Sequence, residues 1–380
     1  MPNQKSFLIL GGYGNTGRAL ARLLLQETDI HLILAGRDKE KANQLAAEFN
    51  STYKGSRVRG AYADASDSDS LQKALAGIDL VIVASSTSEH VETVATETLK
   101  NHTDYIDPQF AIHKTRYLQS IAQEINEAGC CFITDAGFHP GLPAAMVRYI
   151  APHYDRLQIA NISSVIKIDW ASLELGSSTI DEFISEFTSF EPLLYRDGQW
   201  SNLGLSSMFK PAWFEFGEPF GRQYAIAMDL PEMHPLPDLY PDLTETGFFV
   251  GGFNWFVDWI ASPVVMIALK IAPQKGVSIA TKLMDWGLKH FSKPPYGTML
   301  KLESSGIKND RNINIEMTIS HADGYALTAI PMAACLLQYL DGEINQPGLW
   351  YQALVVEPTR FITDIQRLGA TVNVQHTELD

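Results

Sequence analysis

Cysteine is nearly absent from this chain. Three occur in 380 residues, and two of them are the neighbours Cys130 and Cys131. That excludes a disulfide framework, because adjacent residues rarely pair in a relaxed chain, and the pair reads as part of a reduced, buried strand. The ten histidines form no HExxH and no CxxC occurs, so metal ligation has no support. No GxSxG elbow marks a serine hydrolase. Positive charge is scarce too: 29 Lys and Arg against 44 Asp and Glu leave a formal net charge of -15. Phosphate-rich partners need a basic surface, so this balance argues against nucleic acid. Any anion site must be local.

Long uninterrupted apolar runs are missing as well. The most apolar stretch, Phe248 to Ala272, is broken by Asn254, Asp258, Pro263 and Lys270. Its longest charge-free part after Asp258, Trp259 to Leu269, falls far short of the ~20 residues that span a bilayer. The stretch reads as a buried helix or subunit contact, with a lipid-facing surface the alternative its aromatics leave open. Only Lys5 precedes the apolar run SerPheLeuIleLeu, which is shorter than a signal-peptide core and reads as a first strand. A cytoplasmic location is the default expectation.

What is present points to two domains, since single cores stop growing at roughly 250–300 residues. The 46% hydrophobic and 19% charged content is that of a soluble globular protein. Over about the first 135 residues, strands alternate with helices. The strands are expected at Lys5–Gly11, Ile30–Ala35, Arg57–Ala63, Asp79–Ala84, Asp104–Ile106 and Cys130–Thr134. Helices between them predict a doubly wound parallel sheet. After Gly141 the pattern changes to longer, aromatic-rich stretches. Ile159–Ile168 and Ile313–Ser320 alternate like strands exposed on one face, which predicts a second, α+β domain. The Pro-rich segment Pro231–Pro241 reads as a loop or rim.

The chemistry is carried first by Phe7 to Arg18, FLILGGYGNTGR, where an apolar strand runs into Gly12-x-Gly14-x-x-Gly17 and then a helix. Gly12 permits the tight turn, Gly14 admits a pyrophosphate to the backbone, and Gly17 lets the helix pack on the strand. Free N–H groups at the helix start face the anion. None of the 14 tyrosines begins a Tyr-x-x-x-Lys pair, which removes the short-chain dehydrogenases as owners of this turn. An NAD site expects an acid about 20 residues beyond the last glycine, yet Arg37 stands there. Its guanidinium can fork onto a 2′-phosphate. The expected cofactor is therefore NADP, although Arg37 as a solvated cation with Asp38 on the ribose is the other reading. Asp64 reads as an acceptor for adenine or, with Asp67, as a helix cap. Ser85 and Ser86, just after strand four, lie where ribose and nicotinamide approach.

Strand six ends in Asp135-Ala-Gly-Phe-His-Pro-Gly141-Leu-Pro143, whose glycines and prolines fix an unusual backbone beside the expected nicotinamide end. His139 is the one histidine in it, with an unperturbed pKa suited to proton transfer. The alternative is a histidine that only hydrogen-bonds within a turn.

Together, GlyGlyTyrGlyAsnThrGly (11–17), AlaGlyArg (35–37), TyrIleAsp (105–107), AspAlaGlyPheHisProGly (135–141), ThrAlaIlePro (328–331), AspGlyGluIle (341–344) and ProGlyLeuTrp (347–350) resemble the saccharopine dehydrogenase-like family. The resemblance implies an NADP-binding Rossmann domain over 1–137, a second domain with a mixed sheet over 138–324, and a C-terminal segment, 325–380, that returns to the first. The expected cofactor contacts are Gly12, Tyr13, Gly14, Asn15, Thr16, Gly17, Arg37, Asp64, Ser85, Ser86, Gly137, Phe138, Pro140 and Gly141. The chain departs from the family at His139, where an acid is usual. Its aromatic 248–272 stretch is also more apolar than an amino-acid site needs.

The expected function is an NADP-dependent oxidoreductase moving a hydride between nicotinamide and a C=N or C=O carbon of an amino-acid- or polyamine-like substrate, with His139 as proton donor. A substrate carboxylate would need a cation, and Lys167, Arg196 and Arg222 are candidates, each reading first as a solvated surface charge. A homodimer is expected from the aromatics of the second domain. Two alternatives remain: a reductase of a lipid-linked substrate that meets a membrane through 248–272, and a non-catalytic NADP(H) sensor.

Overall fold

The computed structural model describes residues 4–172, 191–204, 212–265 and 273–378, with residues 273–280 described as helix only. The chain divides into two compact units, Met1–Ala145 with Tyr325–Gly369, and Met146–Gly324 with Ala370–Asp380.

In the first unit every expected strand forms. They are β1 (Ser6–Leu10), β2 (His31–Gly36), β3 (Val58–Tyr62), β4 (Leu80–Val83), β5 (Asp104–Ile106) and β6 (Cys131–Thr134). The order β3-β2-β1-β4-β5-β6 is extended past β6 by the strand Gly348–Tyr351, and all its pairings are parallel. Strands β4 and β6 are buried at every residue, because helices cover both faces and leave no solvated side for alternation. The helix Asn15–Glu27 seals one face by burying Leu20, Ala21, Leu24 and Leu25. The helical segment between β5 and β6 is broken at Ile121 into Ile112–Ser120 and Ala122–Glu127.

Sequence order reverses between β1 and β4, so the Gly-rich turn after β1 emerges at the switch point where doubly wound sheets bind ligands. The ProGlyLeuTrp motif at 347–350 also finds its reason here. Gly348, Leu349, Trp350 and Tyr351 pair with Cys131, Phe132, Ile133 and Thr134, so the motif closes the sheet beside β6.

The second unit holds a mixed sheet built from β7 (Arg156–Lys167), β8 (Leu193–Arg196), β9 (Gln199–Asn202), β10 (Ala212–Glu215), β11 (Arg222–Met228), β12 (Glu245–Gly251), β13 (Gly297–Lys308) and β14 (Arg311–His321). Its main order is β10-β11-β12-β7-β13-β14, ending on the strand Thr371–Glu378. Only the β12–β7 pairing is parallel among those described. The Pro-rich segment forms two short helical turns, Pro231–Met233 and Leu236–Leu239, since proline is tolerated in a first helical turn. The tail departs from expectation: Tyr325–Gly369 groups with the first unit, whereas Thr371–Glu378 pairs with β14 residue by residue from Ser320 to Ile313. An alternating, mostly exposed strand can satisfy its backbone on any open sheet edge, and β14 supplies one.

Candidate functional site: the carboxyl edge of the parallel sheet

Because every strand of the first sheet runs the same way, the residues that follow the strands collect along one edge. In spatial order these are Asp64 after β3, Arg37 after β2, the Gly-rich turn after β1, Ser85 after β4, Asp107 after β5 and Asp135 to Gly141 after β6.

The glycines of the turn have separate steric reasons. A Cβ on Gly12 would sit 2.9 Å from Leu34 Cα of β2, and one on Gly17 would collide with the Gly11 carbonyl and lie 2.9 Å from Gly12 Cα. Gly14 differs, since its only close neighbour would be Gly11 O at 3.2 Å, which leaves its outer side open to an approaching ligand. Gly14 is also the N-cap of the following helix, and no side chain caps it. The amides of Asn15, Thr16 and Gly17 therefore open a 13-residue helix without a capping oxygen, which is what an anion at a helix N-terminus requires.

Tyr13 turns back from the loop onto β2. Its ring would meet a Cβ on Gly36 at 2.6 Å, and its hydroxyl accepts from Asp38 N at 3.0 Å. Asp38 caps the helix Lys39–Thr52 by accepting from Lys41 N at 3.0 Å. Asp38 is thus engaged in holding its own helix, and the adjacent Arg37 is the exposed group. Asp64 Oδ1 accepts from Ser66 N at 3.0 Å and Ser66 Oγ at 2.8 Å. The Ser66 amide, with the charges of Arg37 and His90, holds Asp64 below the usual carboxylate range. The cap of the next helix is Asp67, accepting from Asp69 N at 3.0 Å and Ser70 N at 3.3 Å.

At the other end, Ser85 lies against Gly11, whose Cβ would meet Ser85 Cβ at 2.8 Å. Its hydroxyl is 3.0 Å from that of Thr87, and its carbonyl accepts from the Gln109 amide. Ser86 is half-buried beside it. The Asp135–Gly141 turn has the unusual backbone expected of it. Asp135 has φ +55 and Gly141 φ +125, the His139–Pro140 peptide is cis, and Gly137 N donates to Pro140 O at 3.0 Å. At Gly141 a Cβ would lie 2.7 Å from Asp135 O. From the C-terminal segment, the buried Gln352 donates to Gly137 O at 3.3 Å and Gly141 O at 3.4 Å. The 347–350 motif thereby delivers a clamp onto the 135–141 motif.

His139 sits differently from its sequence expectation. Nε2 is buried in the turn, and burial pushes the ring down to about 4. At neutral pH it is an uncharged imidazole, so the premise of an unperturbed histidine does not hold. The Phe138 ring lies 4.0 Å from it.

Beneath this turn is a charge cluster that the sequence reading missed. Lys114 Nζ donates to Asp107 Oδ1 at 2.6 Å, Thr134 Oγ1 at 2.7 Å and Asp135 Oδ1 at 2.9 Å. Thr134 Oγ1 in turn donates to Asp107 Oδ2 at 2.9 Å. The Lys114 and Asp107 side chains are 0% exposed and Asp135 1%. Burial alone would lower the Lys114 pKa, but Asp107 and Asp135 outweigh it and raise it. Burial raises Asp135 despite Lys114 beside it. One ammonium against two carboxylates leaves a buried excess of negative charge, which a proton on Asp135 would remove. Tyr105, stacked 4.9 Å from Phe132, is raised well above its ordinary value by burial and by Asp107.

Of the second-unit cations, Arg196 pairs with Glu245 at 2.8 Å, and the Arg222 guanidinium lies 5.0 Å from the Trp213 ring centroid. Both have local structural partners. Among the described residues no group of three or more His, Cys, Asp or Glu could hold a metal.

Residues 7–133 match the saccharopine dehydrogenase NADP binding domain family. No curated protein matches the chain in sequence. Among solved structures the chain is similar to apo histidine-tagged saccharopine dehydrogenase (L-Glu forming) from Saccharomyces cerevisiae. The TM-score is 0.68 at 14% identity, over 98% of this chain and 100% of that one. An oxidoreductase from Sinorhizobium meliloti aligns over 98% of this chain and 99% of its own, with a TM-score of 0.43 and 11% identity. GenD2 from gentamicin A biosynthesis, in complex with NAD, aligns over 100% and 97%, with a TM-score of 0.46 and 12% identity. At such identities the likeness to the yeast enzyme is one of fold. Residues 7–133 thus carry the saccharopine dehydrogenase NADP binding domain, and the chain shares the fold of the yeast enzyme along its length.

Proposed function

We propose that this chain is an NADP-dependent oxidoreductase acting on a C=N or C=O carbon of an amino-acid- or polyamine-like substrate. The observation that carries this reading is the order of groups along the sheet's carboxyl edge, where an uncapped helix start and Gly14 lie between an exposed arginine and the Asp135–Gly141 turn. The residues fit a dinucleotide: Gly14 leaves room where a Cβ would intrude, and Asn15, Thr16 and Gly17 present amides to a pyrophosphate. Arg37 takes the 2′-phosphate, with Asp38 committed to its helix, and Tyr13 holds the two turns together. Asp64 faces the adenine side; Ser85, Ser86, Gly137, Phe138, Pro140 and Gly141 border the nicotinamide end. When bound, the cofactor supplies or accepts the hydride.

The protein's own contribution is position and polarity. Gln352 and Lys114 fix the Asp135–Gly141 turn from two sides. His139, uncharged at neutral pH, can donate a hydrogen bond from its neutral ring to a reacting oxygen or nitrogen, but it holds no spare proton as an imidazolium above about pH 4.

The test is NADPH oxidation followed against a panel of imines, ketones and aldehydes with amino-acid or polyamine chains. Turnover supports the enzyme. Tight NADPH binding without turnover of any member, in either direction, would instead assign the chain to non-catalytic NADP(H) sensing.

A further inference from the structure

The second unit carries an aromatic surface that the oxidoreductase reading leaves unused. In the segment from Phe253 to Val265, Val257, Ala261 and Val265 point inward against Met284 and Leu288 of the helix Pro273–Phe291. Four residues of the segment face out: Trp255 is 55% exposed, Trp259 45%, Ile260 43% and Val264 45%. Trp286, on the helix, is also 45% exposed. Ring contacts form two groups here, one with Trp255 and Phe291 centroids 5.0 Å apart and Phe256 and Trp286 5.1 Å apart, and a second with Tyr224 and Trp259 5.3 Å apart. Exposed apolar patches of this kind mark binding surfaces.

Its charge is opposite to that of the chain. Among the described residues from Trp255 to Tyr296 the charged side chains are Lys282, Lys289 and Lys293 against Asp258 and Asp285, in a protein of net charge -15. Lys282, Trp286 and Lys289 follow one another at steps of four and three and so share a helix face, and Lys293 lies two residues past the helix end. Lys282 and Lys293 are exposed, and Lys289 pairs with Asp285 at 2.8 Å.

We propose that this face docks the protein on an anionic lipid bilayer surface, lying in the interface without crossing it. Tryptophan favours the headgroup boundary, where its ring is apolar and its N–H stays wet, and lysine stems reach past it to anionic headgroups. Among the described residues no helix is long and apolar enough to cross a membrane. An otherwise acidic protein is repelled by an anionic bilayer, so a basic patch is needed wherever it touches one. A second copy is the poorer occupant, because a two-fold contact through this face would set its lysines against themselves.

The experiment is vesicle flotation of the full chain. Phosphatidylcholine vesicles containing phosphatidylglycerol should carry it, and phosphatidylcholine alone should carry much less, with the difference shrinking at high salt. Lys282→Gln with Lys293→Gln should reduce partitioning roughly fivefold per lysine. Trp255→Ser with Trp259→Ser should also weaken it, and in the wild type brominated acyl chains should quench tryptophan emission. NADPH binding, measured on each variant, reports folding of the first unit and is expected to stay unchanged. Absence of flotation with either vesicle, or flotation unaltered in both double variants, would overturn the proposal. So would a concentration-dependent dimer abolished by the same tryptophan changes, which would give the face to a second copy.

Discussion

Lys114 Nζ lies 2.6 Å from Asp107 Oδ1, and neither side chain is exposed to solvent. The two residues tie the helix Ile112–Ser120 to the end of β5, and through Asp135 to the end of β6. Removing the lysine strands two buried carboxylates. Lys114→Met should therefore cost about 3–5 kcal/mol, read as a lower urea midpoint with unchanged slope. Asp135→Asn removes the excess charge while keeping the shape, and should cost far less. Equal losses from both would show that the cluster's charge balance does not matter.

Gly17 and the Gly11 carbonyl are in closer contact than any side chain allows. Gly17→Ala should push the helix Asn15–Glu27 off the turn, lower stability by about 1–3 kcal/mol and abolish dinucleotide binding at concentrations that saturate the wild type. Gly14→Ala, whose one close neighbour would be the Gly11 carbonyl at 3.2 Å, should retain the fold and lose mainly affinity. Calorimetric titration with a thermal melt separates the two.

Asp258 gives the fold a pH dependence of known sign. Burial raises its carboxyl from 3.8 to about 6, against hydrogen bonds from Tyr224, Phe253 N and Asn254 N and the charge of Lys167. An acid raised in the folded state makes that state bind more protons than the unfolded chain. Its favourable contribution is thus full below about pH 4 and lost as the pH rises to about 6, a swing of about 3 kcal/mol. Asp258→Asn should gain stability relative to wild type across that window and run parallel to it above. A constant difference from pH 4 to 7 would contradict the assignment.

The fold was legible where burial is uniform. Apolar runs such as LeuValIleVal marked β4, glycine spacing marked the turn after β1, and the position of Arg37 marked the end of β2. The charge cluster was not legible. Lys114 sits in IHKTRYLQS, a polar helix that reads as solvated, and its partners lie 7 and 21 residues away, just past the ends of two different strands. Only the β5–β6 pairing brings both acids to it. A signal was nevertheless present, since TyrIleAsp and AspAlaGly both place an acid after a buried strand, and two such acids need a cation. Gln352 is more remote still, 215 residues from Gly137. The tail strand gave no information about which sheet edge it would join.

His139 bears on mechanism through its pH profile. With the ring at about 4, kcat/KM should show no ionisation of this residue between pH 5.5 and 8, a range set off from it by more than one unit. His139→Gln should lower kcat, through the lost ring, and leave the profile's shape unchanged in that range. An inflection near 6.5 that disappears in the variant would restore an imidazolium donor.

The central claim is that Arg37 holds the 2′-phosphate of NADP in the carboxyl-edge site. It is tested most directly by titrating NADPH and NADH, in parallel, into the wild type and Arg37→Asp. A charge-assisted fork contributes about 1.5–3 kcal/mol, so the Kd for NADPH should rise roughly 10- to 100-fold in the variant while that for NADH changes little. Equal losses for the two cofactors, or a wild type that binds NADH as tightly as NADPH, would contradict it.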